Sequence, residues 1–166
     1  MRVYVQGEAL LAYMARKQSW CASDDATANR TAVRRWLARY AEVHECDVVL
    51  VWQQNASAEV LPRTEAFGRL KVVNLPFGDD MVAEIAGPAN RAAAAERVCV
   101  VTEDPKLRDT LGRGRAAVQT PAAFVQRARA VMGADDEEDA LEPDEKFRGP
   151  SEDEVDFWLS FFDERS

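Results

Sequence analysis

The chain has 166 residues, room for one globular domain and an appendage, and 47% are apolar, enough for a substantial core. No run approaches the roughly 18 consecutive apolar residues of a membrane span, and three scattered cysteines, Cys21, Cys46 and Cys99, fit neither a zinc site nor a disulfide framework. The net charge of −8 is uneven: residues 134–166 hold 14 acidic and 3 basic side chains (−11), leaving 15 acidic and 18 basic (+3) in residues 1–133. A mildly basic body is compatible with a nucleic-acid partner. The acidic stretch Asp135-Asp136-Glu137-Glu138-Asp139 reads either as a solvated linker or as a tail that screens that surface. Reduced thiols and a start directly on a strand-like run give the expectation of a cytoplasmic protein with no secretory leader.

In chain order, residues 2–5 read as a strand and 8–17 as a helix. Residues 19–27 are polar and irregular. Asn29-Arg30-Thr31-Ala32 opens a helix whose Val33, Trp36, Leu37, Tyr40 and Ala41 recur at three-and-four spacing. The run Asp47-Val48-Val49-Leu50-Val51-Trp52 is apolar without alternation, as in a parallel strand covered on both faces. A polar connection over 53–68 leads to a third strand at 69–73 and a loop at 74–78. Asp79-Asp80 then opens a helix over 81–86, which Gly87-Pro88 is expected to end. A fourth strand follows at 97–102, with Pro105 at a favourable first helical position, then a short fifth strand at 115–118 and a helix from Thr120-Pro121 to Met132.

This alternation predicts an α/β fold with three layers, an open parallel sheet of about five strands in the order 3-2-1-4-5. Its switch point lies between strands one and four, where such sheets bind ligands at the carboxyl ends of their strands. The domain covers 1–133, followed by an acidic linker over 134–150 and a helix over 151–166. Ser151 and Glu154 make a capping box for that helix, and Val155, Trp158, Leu159 and Phe162 form its apolar stripe. A helix this short needs a surface to dock on, its own body or a protein partner.

The strand-tip residues set the chemistry. Asp79, Asp80 and Glu84 near one helix start, and Glu103 and Asp104 after strand four, are carboxylates able to hold Mg²⁺ or Mn²⁺. Each aspartate also reads as a helix cap. Asp80 and Glu84 are four apart, so they share a helix face as a metal pair or as a solvated edge. At the tip of strand one, where chemistry usually asks for a carboxylate, stands Gln6, followed by Gly7 and Glu8; at the tip of strand two stands Gln53. The lone histidine, His44, sits at a helix end, and no serine or cysteine has a nucleophile setting. Arg34, Arg35 and Arg108 are candidate phosphate contacts or ordinary surface residues.

Taken in order, Val5-Gln6-Gly7-Glu8-Ala9, Trp52-Gln53, Gly78-Asp79-Asp80 and Val101-Thr102-Glu103-Asp104 resemble the motifs of the PIN-like nucleases, more narrowly the YacP-like NYN group. The resemblance spans about residues 1–132. It implies metal-dependent RNA cleavage by an acidic cluster, with Asp80 (or Asp79) and Asp104 as surviving acids, Thr102 and Glu103 beside them, and Gln6 and Gln53 in place of acids. Because hard-cation affinity follows ligand charge, the expectation is a catalytically impaired module bound to RNA or the ribosome. The alternatives are an active Mg²⁺- or Mn²⁺-dependent endoribonuclease using Asp80 and Asp104, and a protein-interaction module acting through its C-terminal helix. Glu8 would partly compensate for the lost charge if its side chain folded back toward the strand tip.

Overall fold

Runs of Val, Leu and aromatic residues with no polar alternation make strands that must be covered on both faces, and the chain supplies a helix after nearly every one. The computed structural model describes residues 1–17, 25–56 and 61–132. Its strands are β1 (Arg2–Gln6), β2 (Asp47–Gln53), β3 (Thr64–Phe67), β4 (Leu70–Leu75), β5 (Val98–Val101) and β6 (Ala117–Gln119). The described helices are α1 (Gly7–Arg16), α2 (Ala26–Val43), α3 (Met81–Ala92), α4 (Pro105–Leu111) and α5 (Pro121–Met132).

The sheet order is β3-β4-β2-β1-β5-β6. Without β3, this is the expected 3-2-1-4-5 order, and every pair within it is parallel. The added strand runs antiparallel on the β4 edge, with Thr64 opposite Val73 and Phe67 opposite Leu70, so the sheet is mixed. Its sequence, TEAF, carries no buried residue and no alternation, which is why it reads as loop. Helices α1, α2 and α5 cover one face around Val3, Val5, Leu50 and Trp52. Helices α3 and α4 cover the other around Tyr4, Val51, Val73 and Val100. Trp36 of α2 is wholly buried, edge-on to Phe124 of α5 at 5.9 Å between ring centroids. Burying a side chain of this kind stabilises by roughly 1.5–3 kcal/mol, which pins both helices to the sheet.

Several boundaries differ from those expected. Helix α3 does not stop at Gly87-Pro88 but runs to Ala92 with Pro88 inside it. A mid-helix proline costs about 3 kcal/mol. Fully or nearly buried Ile85, Ala86 and Ala89 on the sheet-facing side offset that cost and hold the next turn helical. Helix α2 starts at Ala26 because the Asp25 carboxylate accepts from Thr27 N at 2.8 Å. Strand β4 extends through Asn74 and Leu75; Asn74 is buried, and its amide donates to Pro62 O at 2.9 Å and to Glu65 at 3.1 Å. Strand β6 lies at 117–119, two residues later than expected at its start, set by Ala117 opposite Cys99 and Gln119 opposite Val101. The linker over 134–150, the helix over 151–166 with Val155, Trp158, Leu159 and Phe162, and Cys21 lie outside the described residues.

Candidate functional site

Because β2 lies on one side of β1 and β5 on the other, the carboxyl ends of all three strands converge where the sheet changes winding direction. Gln6 closes β1, half-buried, and its Oε1 accepts from the hydroxyl of Thr102, which is wholly buried just past β5. The same hydroxyl oxygen accepts from Asp104 N at 3.0 Å. The Asp104 carboxylate turns away into α4, accepting from Lys106 N at 2.8 Å as the helix cap. Exposed Glu103 pairs instead with Arg16 of α1 at 3.5 Å.

The end of β2 is equally committed. The Gln53 amide donates through Nε2 to Pro76 O at 2.7 Å and to Asp79 O at 3.4 Å, a role a carboxylate could not fill. These carbonyls belong to a turn closed by Asp79 N on Pro76 O at 3.2 Å, with Gly78 at φ +90°, a conformation glycine adopts at no steric cost. Asp80 then caps α3, accepting from Val82 N at 2.9 Å and Ala83 N at 3.3 Å. Asp79 and Glu84 both pair with Arg63, at 3.2 and 3.4 Å. The shared helix face expected for Asp80 and Glu84 therefore carries a cap and an ion pair.

Glu8 does fold back, toward β2. Its Oε1 accepts from Gln53 N at 2.7 Å and lies 4.0 Å from the Arg30 guanidinium. The side chain keeps 41% of its surface exposed, yet Oε2 itself is out of solvent and has no partner. Burial pushes the carboxyl above its usual range, against the pull of the Gln53 N–H and Arg30 in the other direction. Gly7, between these two side chains, is required by a close approach: a Cβ there would stand 2.4 Å from the Trp52 ring.

The donor chemistry does not fit a divalent cation. Among the described residues no group of three or more His, Cys, Asp or Glu side chains is placed to hold one. Two tips offer amides, and Asp80 and Asp104 each turn one carboxylate oxygen, Oδ1, to their own helix starts. His44 caps the end of α2 and packs on Tyr40 at 4.2 Å between centroids, away from the strand tips. Cys46 is buried, and burial pushes the Cys99 thiol up to about 11, so neither is an available thiolate at neutral pH. Arg34 lies on α2 with its guanidinium 4.4 Å over the Phe67 ring; Arg35 is exposed beside it, and Arg108 sits in the last turn of α4. Arg30, which in the sequence stands out only as part of a helix start, donates to Gln53 O at 3.0 Å and covers the Trp52 ring at 4.9 Å. Its spacing of four from Arg34 was the available signal.

An open α/β sheet with this strand order and polar side chains gathered at the tips of β1, β2 and β5 is the architecture expected of a PIN-like domain. The chain belongs to the YacP-like NYN domain family, whose model matches residues 5–156. Two crystal structures of Rae1 (YacP) from Bacillus subtilis are similar to it in fold. One, of a point mutant of that protein, has a TM-score of 0.60 at 14% identity, over 78% of this chain and 76% of that one. The other has a TM-score of 0.59 at 16% identity, over 79% and 75%. No curated protein matches the chain. Among the described residues no helix is long and apolar enough to cross a membrane.

Proposed function

We propose that this protein is a catalytically impaired NYN domain that binds RNA, free or within a ribosome, without cutting it. One observation carries the reading: Gln6 and Gln53 stand where the family resemblance asks for acids, and each is tied into hydrogen bonds that hold the strand tips together. Of the remaining aspartates, Asp80 and Asp104 each cap a helix through Oδ1 and Asp79 pairs with Arg63. A site so arranged contributes little negative charge toward a hard cation, and affinity for such cations follows ligand charge. The basic excess of residues 1–133 supports retention of a polyanionic partner, and unpaired thiols suit a cytoplasmic setting.

The test uses the full chain and a 5′-labelled single-stranded RNA, with Mg²⁺, Mn²⁺ or a chelator. The expected result is salt-sensitive binding that is the same under all three conditions, with the RNA intact. Metal-dependent cleavage that disappears in Asp80→Asn or Asp104→Asn protein would make this an active endoribonuclease. Failure to bind RNA at low salt would remove the RNA half of the reading.

A further inference from the structure

Beside the strand tips, on the α2 face of the sheet, runs an open groove of about 400 Å³. One wall is α2, which presents Thr27, Arg30 and Arg34 at helical spacing; the other is the β3–β4 edge, with Glu65 and Asn74, and Trp52 contributes to the floor. Both arginines are backed by aromatic rings, Arg30 by Trp52 and Arg34 by Phe67. A guanidinium held over a ring keeps N–H groups for other acceptors and has lost much of its rotamer freedom on folding. Among the described residues Arg30 donates one hydrogen bond, to Gln53 O, with Glu8 4.0 Å away, and no carboxylate pairs with Arg34. Among the described residues Glu65 is the single acid of the lining, and Asn74 already donates to it.

We infer that this groove holds one nucleotide of an unpaired RNA strand, with its phosphate on Arg30 and Arg34 and its base toward Glu65 and Asn74. This deepens the RNA-binding reading and rests on it. The volume lies at the small end of ligand pockets, roughly 300–1,000 Å³, which suits a single nucleotide rather than a duplex. Among the described lining residues two forked cations face the Glu65 carboxylate, with Glu8 4.0 Å behind Arg30, which favours an anion with in-plane oxygens, and phosphate is such a group. The Glu65 carboxylate is an acceptor for base N–H groups. Arg30 touches both the groove and the β2 tip, so a strand seated here leads directly to the switch point.

The experiment measures anisotropy of a labelled single-stranded RNA with the full chain over a salt series. Arg34→Gln and Arg30→Gln should each weaken binding by roughly 5- to 10-fold and flatten the slope of log affinity against log salt by about 0.7. Arg34→Lys, which keeps the charge without the fork, should fall between, guarding against a variant that merely misfolds. Arg35→Gln and Arg108→Gln, outside the groove, should stay within about twofold. The matching duplex should bind more weakly than the single strand. Equal losses at Arg35, Arg108 and Arg34 would spread the RNA over a general basic surface and overturn the assignment. So would a nucleoside monophosphate binding as tightly as the strand, or an acidic peptide displacing the RNA on equal terms. RNA binding kept in both groove variants overturns this inference alone; no binding by the wild type overturns the functional reading with it.

Discussion

The strand tips and the α2 groove lie side by side, joined through Arg30, and use their polar groups in opposite ways. At the tips the polar atoms are mostly spent on one another: Gln6 on Thr102, Gln53 on the Pro76–Asp79 turn, Asp80 and Asp104 on their own helices. In the groove, Arg30 and Arg34 are braced on rings with N–H edges available. At the tips of β1 and β2 amides stand where the family resemblance asks for acids, with the Glu8 carboxylate folded against Gln53 N, while the groove presents two arginines. The proposed binding and the question of cutting therefore fall on different elements: α2 and the β3–β4 edge for binding, β1, β2 and β5 for cutting.

The largest effect on the tips should come from Gly7→Ala. Its Cβ would stand 2.4 Å from the Trp52 ring, so Trp52 must shift and take the Arg30 contact with it. Such overpacking costs roughly 1–3 kcal/mol, to be read from denaturant midpoints. Loss of RNA affinity should accompany it, because the floor of the groove moves; unchanged affinity would uncouple the two regions. Next comes Gln53→Glu, a restoration of acid at the β2 tip. It turns a donor into an acceptor against two carbonyl oxygens and should cost about 1 kcal/mol, with no gain of cleavage. Cleavage gained at no cost in stability would break the contrast between the regions.

Asp80→Ala should destabilise by about 1 kcal/mol as a lost cap, and Asp80→Asn by only a few tenths, because asparagine caps equally well. Thermal melts of the pair check this, and a large asparagine effect would mean that the charge itself is in use. The smallest effect concerns Glu8. Burial raises its carboxyl pKa, so its favourable contribution is present at low pH and lost as pH rises through that raised value. Glu8→Gln removes the titration while retaining an acceptor for Gln53 N. The melting temperature of the wild type should therefore fall relative to Glu8→Gln as pH rises from the ordinary glutamate range through the raised value. A constant difference would show that the carboxylate is not strained by its setting.

The parallel strands and their order were legible in the sequence because both-face burial writes continuous apolar runs such as Val48 to Trp52. Strand β3 was not, since an edge strand with exposed Thr64, Ala66 and Phe67 leaves no hydrophobic pattern. Pro88 misled for a related reason: local backbone rules registered its cost, but the burial of Ile85 and Ala89 that outweighs it is a tertiary quantity. The amides at positions 6 and 53 were visible as substitutions in a motif, yet their hydrogen-bond partners come from Thr102 and from the turn after β4, distant in sequence. The groove was hidden furthest. Its braces are Trp52 on β2 and Phe67 on the very strand that the pattern concealed.

The claim that the tips have lost their cation site is tested most directly by titrating the full chain with Mn²⁺ and following bound metal by electron paramagnetic resonance. The expected result is only weak, non-saturating association, identical in wild type, Asp80→Asn and Asp104→Asn. A saturable site in the wild type that disappears in either variant would contradict it.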